Sequence, residues 1–378
     1  MTQAETELLI APRRSVEARR RLVLGVSRIW AWVFLIALIL FFWVSVSISS
    51  DGAINFLSLR STQTILVTIT PVLLMGLGQT FVIISGGIDL SVGWVMGLSS
   101  VASAMVTVSL MDAGAGEVIS ILGGLAGGLL MASLFGLISG TIIAKLRVPS
   151  FIVTLGMAFV ARGVSLIASG GNVIGGLPPG MRNVGNESLI YVVSGEGGGI
   201  SLLTKPSLTG EALQRLDRVF QWPVVITAIT VVVAMFLLHK TQFGRHTYAI
   251  GGNREASVRA GVPADRMTIL LFVMSALTSG LAGFLHTARF TGGSSIAGEP
   301  LLLSSIAAVI IGGVSMFGGR GNVAGTVIGA LIISILITGL VMLGVDPYWQ
   351  FIVIGVVVIM AVLIDQARDL IVGRAESQ

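Results

Sequence analysis

The chain has 378 residues, of which 54% are apolar and only 11% charged, and its net charge is +5. An ordinary soluble domain carries about a quarter charged residues, so this composition excludes a soluble globular protein and points to a chain solvated by lipid. There is no cysteine, which excludes structural disulfides, thiolate catalysis and Cys-based metal sites.

The first 28 residues carry Arg13, Arg14, Arg19, Arg20, Arg21 and Arg28, and the apolar run from Ile29 to Ser49 has no small-residue cleavage pattern. This predicts a basic cytoplasmic N-tail, 1–28, followed by a retained first span. Hydrophobic stretches near the length of about 20 residues that crosses a bilayer recur at 61–84, 91–110, 119–144, 150–169, 222–239, 267–288, 300–317, 323–344 and 349–365. That makes about ten spans, a membrane domain over 29–365, and a cytoplasmic C-tail at 366–378. The charges agree: sixteen of the 23 Lys and Arg residues lie on segments this alternation places inside, and the short outer connections keep only Arg60, Arg162 and Arg289. The expected fold is all-α, polytopic and embedded in the plasma membrane, with both termini cytoplasmic.

Between the second and third spans stands GGIDLSVG, residues 86–93. A carboxylate at the bilayer centre adds about 2.5 to 3.5 kcal/mol on insertion scales, so Asp89 is not incidental there. Gly86, Gly87 and Gly93 let the backbone turn where side chains would clash, which predicts a broken helix near 85–91. Irregular backbone at membrane depth is tolerated only when buried in protein or facing a water-filled cavity. Asp89 then caps the third span, accepting from the amides near Ser91 and Val92, or lines and gates a permeation route; one residue can do both. Gly86, Gly87, Asp89, Ser91 and Gly93 are the candidate pathway residues.

The long outer loop, 170–221, is rich in Gly, Ser, Asn and Pro and has no sustained helical periodicity. It reads as a solvated connector, as a surface that meets an external partner, or as both.

The cytoplasmic connection 240–266 contains GGNREASVRAGVPADR. Asn253 suits an N-cap, Glu255 the first turn, Gly261 the C′ position, and Pro263 blocks continuation. A helix of about two turns is too short to stand alone in water and has to be held against something. Glu255 and Arg259 form a charged face, and Ala256 with Ala260 a small, close-packing one. The segment is either an exposed inter-span helix or a plug for a groove on a cytoplasmic partner.

No GxxxxGK[ST] phosphate loop occurs; IGGVSMFGGRG, 311–321, lacks the lysine and the strand context. Its glycines suit close helix packing and a sharp turn at Gly318–Gly321. His239, His246 and His286 are scattered without metal-ligand spacing, and no nucleophile has a positioned base, so no enzymatic activity is expected. His286 reads as a hydrogen-bonded interior or near-surface histidine. With Asp89 and Arg289 it makes a thin proton relay, so an ion-coupled secondary transporter of small polar solutes is the alternative reading.

GGIDLSVG, AIGGNREASVRAGV and IIGGVSMFGGRGNVAGTVIGALI, in this order and at these topological positions, resemble the ribose-type permease family of bacterial ATP-binding-cassette importers. The resemblance covers residues 60–365. It implies a permease subunit in the inner membrane that pairs with a second permease subunit, a copy or a paralogue. It also implies a cytoplasmic ATPase that holds ATP and Mg, a periplasmic sugar-binding protein, and import of a monosaccharide or related polyol. Lipid is then the surrounding partner, nucleic acid is not one, and this chain carries no cofactor. Asn253, Arg254, Glu255, Ala256, Arg259, Ala260 and Gly261 would form the coupling helix that docks on the ATPase. Ser257 stands where the general importer pattern has a second alanine, a small-for-small change.

Overall fold

The computed structural model describes residues 31–193, 199–206, 216–346, 348–357, 359–360 and 363. The basic N-tail and the C-tail lie outside the described residues. In chain order the elements are α1 (Ala31–Ser49), α2 (Leu59–Ile84), α3 (Val92–Asp112), α4 (Glu117–Leu146) and α5 (Ser150–Ser169). Then come α6 (Pro179–Asn186), β1 (Ser188–Val193), β2 (Gly199–Leu202), β3 (Leu216–Gln221), α7 (Trp222–Lys240), α8 (Gln242–Gly252) and α9 (Arg254–Arg259). The chain continues through α10 (Ala264–Phe290), a 3-10 turn Glu299–Leu301, α11 (Leu302–Ile311), α12 (Val323–Met342) and α13 (Tyr348–Val357).

Eight helices among the described residues, α1 to α5, α7, α10 and α12, are long and apolar enough to cross a membrane, and each falls where the hydropathy predicts a span. The eighth predicted span, 300–317, is shorter than expected. The apolar helical stretch there is Glu299–Ile311, which reaches about 20 Å at 1.5 Å per residue against a hydrocarbon core of about 30 Å. Gly313, at φ +83°, turns the chain back. This element is therefore a half-span, and among the described residues the expected ten resolve into eight long helices, this half-span and the described part of the tenth, Tyr348–Val357.

Helix α10 is the centre of the bundle and packs against α4, α3 and α2. Lipid offers no hydrophobic drive for helices to associate, so close approach of small residues and interhelical hydrogen bonds take over. A Cβ on Gly136 of α4 would lie 2.6 Å from the Phe272 carbonyl oxygen, and one on Gly78 of α2 would lie 2.5 Å from Ser275 Cα. Ser99 Oγ donates to the Gly280 carbonyl at 2.8 Å, the Ser100 and Thr287 hydroxyls meet at 2.7 Å, and those of Thr80 and Thr326 at 2.6 Å. Large apolar side chains stay exposed on the outer helices, for example Phe41, Leu130, Ile167 and Phe236. In water such a surface would be an aggregation liability; it suits contact with lipid or another membrane chain.

The 170–221 loop is more than a connector. It holds α6 and a three-stranded antiparallel sheet in the order β2-β1-β3, with Tyr191 opposite Ser201 on one side and Arg218 on the other. Tyr191 is buried, its hydroxyl donates to Glu187, and it accepts from the Ser188 amide at 3.0 Å. The unit is fastened to the helices: Asn186 Nδ2 donates to the Arg289 carbonyl at 3.0 Å, and residues 174 and 293 form an isolated bridge.

Candidate functional site

The chain breaks between α2 and α3 as the glycines predict. Helix α2 ends at Ile84, Gly86 takes φ +84°, and α3 starts at Val92. Asp89 is 2% exposed. Its Oδ1 accepts from the Ser91 amide at 2.9 Å and the Ser91 hydroxyl at 2.6 Å, and its Oδ2 accepts from Ser275 Oγ of α10 at 2.8 Å. The N-cap position of α3 belongs to Ser91 instead, because Asp89 sits two residues too early and closes an Asx-type turn. The loop's backbone is satisfied from α5: Ile88 N donates to Ser150 Oγ and Leu90 N to Thr154 Oγ1, both at 3.0 Å, while Thr154 Oγ1 donates to the Ile88 carbonyl at 3.2 Å. Non-helical backbone is thus held by protein groups, as lipid requires. Asp89 ties α3 to α10, and Ser150, Thr154 and Ser275, which do that work with it, have no local signal in the sequence.

Helix α9 follows its predicted caps. Asn253 Oδ1 accepts from the Ala256 amide at 2.9 Å, Arg259 and Glu255 pair at 2.7 Å, and Gly261 takes φ +84°. Arg254 anchors the base, donating to Thr268 Oγ1 and Asp265 Oδ1, both at 3.0 Å. Within this chain neither alanine of the small face is the packed residue. Ser257 is the buried residue, bonded to the Asn253 carbonyl at 2.8 Å, whereas Ala256, Val258 and Ala260 are exposed. What α9 presents outward is therefore small, partly apolar and rimmed by charge.

The two motifs meet in space. Gly86 and Gly87 line a cavity of about 1020 Å³ together with Arg254, Glu255 and Arg259 of α9 and with Lys145 and Arg147 at the end of α4. Lys145 pairs with Asp265 at 3.9 Å. Asp89, Ser91 and Gly93 are not in that lining; Gly93 is packed so closely that a Cβ would lie 2.7 Å from the Gly298 carbonyl oxygen. Lys145 and Arg147 are missed as site residues, since the sequence offers them only as topology-setting charges.

The base of α9 is locked to both short turns. Gly319 N donates to the Ile84 carbonyl at 2.8 Å, and a Cβ on Gly251 at the end of α8 would lie 1.7 Å from that oxygen and 2.6 Å from Gly319 N. Gly318, at φ +84°, sits where a Cβ would be 2.8 Å from the Gly251 carbonyl oxygen and 3.1 Å from Gly86. Tyr248 of α8 donates to the Gly321 carbonyl at 2.7 Å, and burial pushes its phenol above the ordinary value, so it keeps that proton. Three glycine pairs, 86–87, 251–252 and 318–319, thus converge backbone to backbone.

His286 lies in α10 with its ring centroid 4.6 Å from that of Phe290 and tilted by 42° to it. Contrary to the hydrogen-bonded histidine expected, its buried Nδ1 has no hydrogen-bond partner among the described residues.

Residues 61–362 match the family model described as branched-chain amino acid transport system / permease component. Among curated proteins, the chain is similar to the ribose import permease protein of Bacillus subtilis (strain 168), 37% identical over 300 residues that cover 78% of this chain and 81% of the relative. It is 35% identical to the fructose import permease protein of Rhizobium meliloti, covering 82% of this chain and 79% of the relative. It is 33% identical to the xylose transport system permease protein of Haemophilus influenzae, covering 90% of this chain and 96% of the relative. No solved structure matches. With a bundle of membrane-length helices interrupted at glycine-rich turns, and this match over most of its length, the chain belongs to the branched-chain amino acid transport system / permease component family, as a multi-pass membrane protein.

Proposed function

We propose that this chain is the membrane-spanning permease subunit of an ATP-binding-cassette importer for a monosaccharide or related polyol. The observation that carries this reading is α9: six residues, capped at both ends, exposed at Ala256, Val258 and Ala260, and rooted through Gly251 on the two broken-helix turns. The relatives support the solute class, since their names read ribose, fructose and xylose import or transport. The name of a further one, the L-arabinose ABC transporter permease protein of Azospirillum brasilense, supports the energy source.

In this reading α9 faces the cytoplasm and docks on an ATPase that holds ATP and Mg, and both chain termini lie on that side. The 170–221 unit faces outward, where a sugar-binding protein delivers the solute, and a second permease subunit completes the pathway. Closure of the ATPase pair on ATP displaces α9. Because Gly251 and Ile84 touch, that displacement reaches both broken-helix turns and shifts the pair between outward- and inward-open states.

Glu255→Lys tests this. The Glu255–Arg259 pair is mostly exposed, and such helix pairs contribute only about 0.3 to 0.5 kcal/mol, so the variant keeps its fold. Recovery of the ATPase with the tagged chain is expected to fall about tenfold, the size of a modest interface anchor, and uptake with it. Undiminished recovery and uptake would sink the coupling role. A chain that purifies alone and moves solute on an ion gradient without ATP would instead be a secondary transporter.

A further inference from the structure

At the other end of α10 from α9 is a second cavity, of about 250 Å³, that the coupling mechanism does not use. Its walls come from four separate segments: Val67, Thr68 and Pro71 of α2, Pro223 at the start of α7, His286 and Arg289 of α10, and the 3-10 turn at Pro300. Most of the lining is apolar, which makes its few polar groups conspicuous.

Two of those groups, both side chains, lack hydrogen-bond partners among the described residues, and a backbone carbonyl beside them loses its usual helical donor. The Arg289 guanidinium makes no hydrogen bond or ion pair among the described residues; it lies over the Phe290 ring, 5.7 Å from the centroid. His286 Nδ1 is buried and unpaired. Pro71 lies inside α2 and has no N–H to give the Val67 carbonyl one turn earlier. Leaving buried polar groups unpaired is costly, and an orphaned set converging on one cavity is explained by a ligand that completes it.

We propose that this cavity is a transit subsite for the transported solute, a small neutral polyhydroxylated ring held by Arg289, His286 and the Val67 carbonyl with one face against Phe290. The inference rests on the importer reading and extends it to where the membrane chain itself touches solute. The volume is below the range of about 300 to 1,000 Å³ typical of drug-sized ligands, so the occupant is small. The lining alternates a donor fork, an imidazole and a carbonyl acceptor. Hydroxyls both donate and accept and satisfy all three. An anion would satisfy Arg289 but be repelled by the carbonyl, and no carboxylate lines the cavity to hold a cation. The position also fits arrival from outside: Pro223 lies two residues after the end of β3, and Asn186 of α6 bonds the Arg289 backbone.

The absence of cysteine allows a single-cysteine test. The transporter, with its ATPase and binding protein, is reconstituted in nanodiscs and liposomes, and ATP-driven uptake of D-ribose, D-xylose, D-fructose, D-allose and L-arabinose identifies a transported sugar. Thr68→Cys, inside the cavity, and Thr62→Cys, exposed on the same helix, are then labelled with a charged thiosulfonate reagent. The transported sugar is expected to slow labelling at residue 68 about tenfold at about ten times its half-protecting concentration, and to leave residue 62 unaffected. Adding Arg289→Gln is expected to raise the half-protecting concentration about tenfold, with labelling at residue 62 and ATPase recovery unchanged. Ala297→Cys, on the same cavity, serves if the residue 68 variant does not assemble.

Equal labelling at residue 68 or 297 with and without a sugar that is taken up removes this proposal and leaves the importer reading intact. Protection indifferent to Arg289→Gln does the same. Labelling slowed by phosphatidylglycerol in the nanodisc rather than by sugar assigns the cavity to a lipid phosphate and overturns the proposal. If none of the five sugars is taken up with ATP, the sugar-importer reading itself fails and this inference with it.

Discussion

Gly251→Ala is expected to abolish uptake in a chain that still inserts. The added Cβ would lie 1.7 Å from the Ile84 carbonyl oxygen and 2.6 Å from Gly319 N. Both neighbours are backbone, so neither can rotate away, and the α2–α3 turn, the 314–321 turn and the end of α8 have to separate. Overpacking of this kind costs about 1 to 3 kcal/mol and sometimes more. Insertion depends on the hydropathy of the spans, which the change leaves alone. Gly252→Ala is the control: a Cβ there meets nothing within 4 Å. Thermal unfolding of the solubilised chain and ATP-driven uptake would both be measured. A Gly251→Ala protein as stable and active as Gly252→Ala would mean that the junction is not the link between α9 and the membrane turns.

Asp89→Ala comes second in expected size. It removes the acceptor for the Ser91 amide, the Ser91 hydroxyl and the Ser275 hydroxyl at a site only 2% exposed. Each donor left buried without a partner costs about 1 to 3 kcal/mol, so a loss of at least about 2 kcal/mol is expected, with uptake impaired more than insertion. Asp89→Asn keeps an acceptor oxygen for Ser91 and offers an amide to Ser275, whose hydroxyl can accept. The expected order of thermal midpoints is therefore wild type, then Asn, then Ala. An alanine variant with normal uptake and an unchanged midpoint would defeat the idea of a tie between α3 and α10. An asparagine variant as poor as alanine would show that charge, not hydrogen bonding, holds the loop.

The two expected losses have different origins in the chain. The break at 85–91 is legible from GG before the carboxylate and G after it, because backbone freedom is a property of those residues alone. That Asp89 would bind Ser275, 186 positions away, is not legible, since nothing near either residue names the other. The same contrast runs through α9. Its N-cap, ion pair and C′ glycine are interactions within a few residues and appear as expected. Which side of it faces inward depends on α8 and α10, and there Ser257 is buried while Ala256 and Ala260 stay exposed.

By itself the sequence determined the membrane spans, the family pattern, the position of the helix break and the capping of α9. Partition into lipid acts on each stretch of about 20 residues independently, and caps act over one turn, so both are local. Tertiary structure alone decided the sheet in 170–221, whose strands need partners on other segments, and the shortness of α11, which is buried among other helices rather than stretched across lipid. It also decided the meeting of three glycine pairs and the convergence of Arg289, His286 and Val67 on one cavity. Those depend on how close separate helices come, a distance set by packing across the whole bundle and written in no single stretch of the chain.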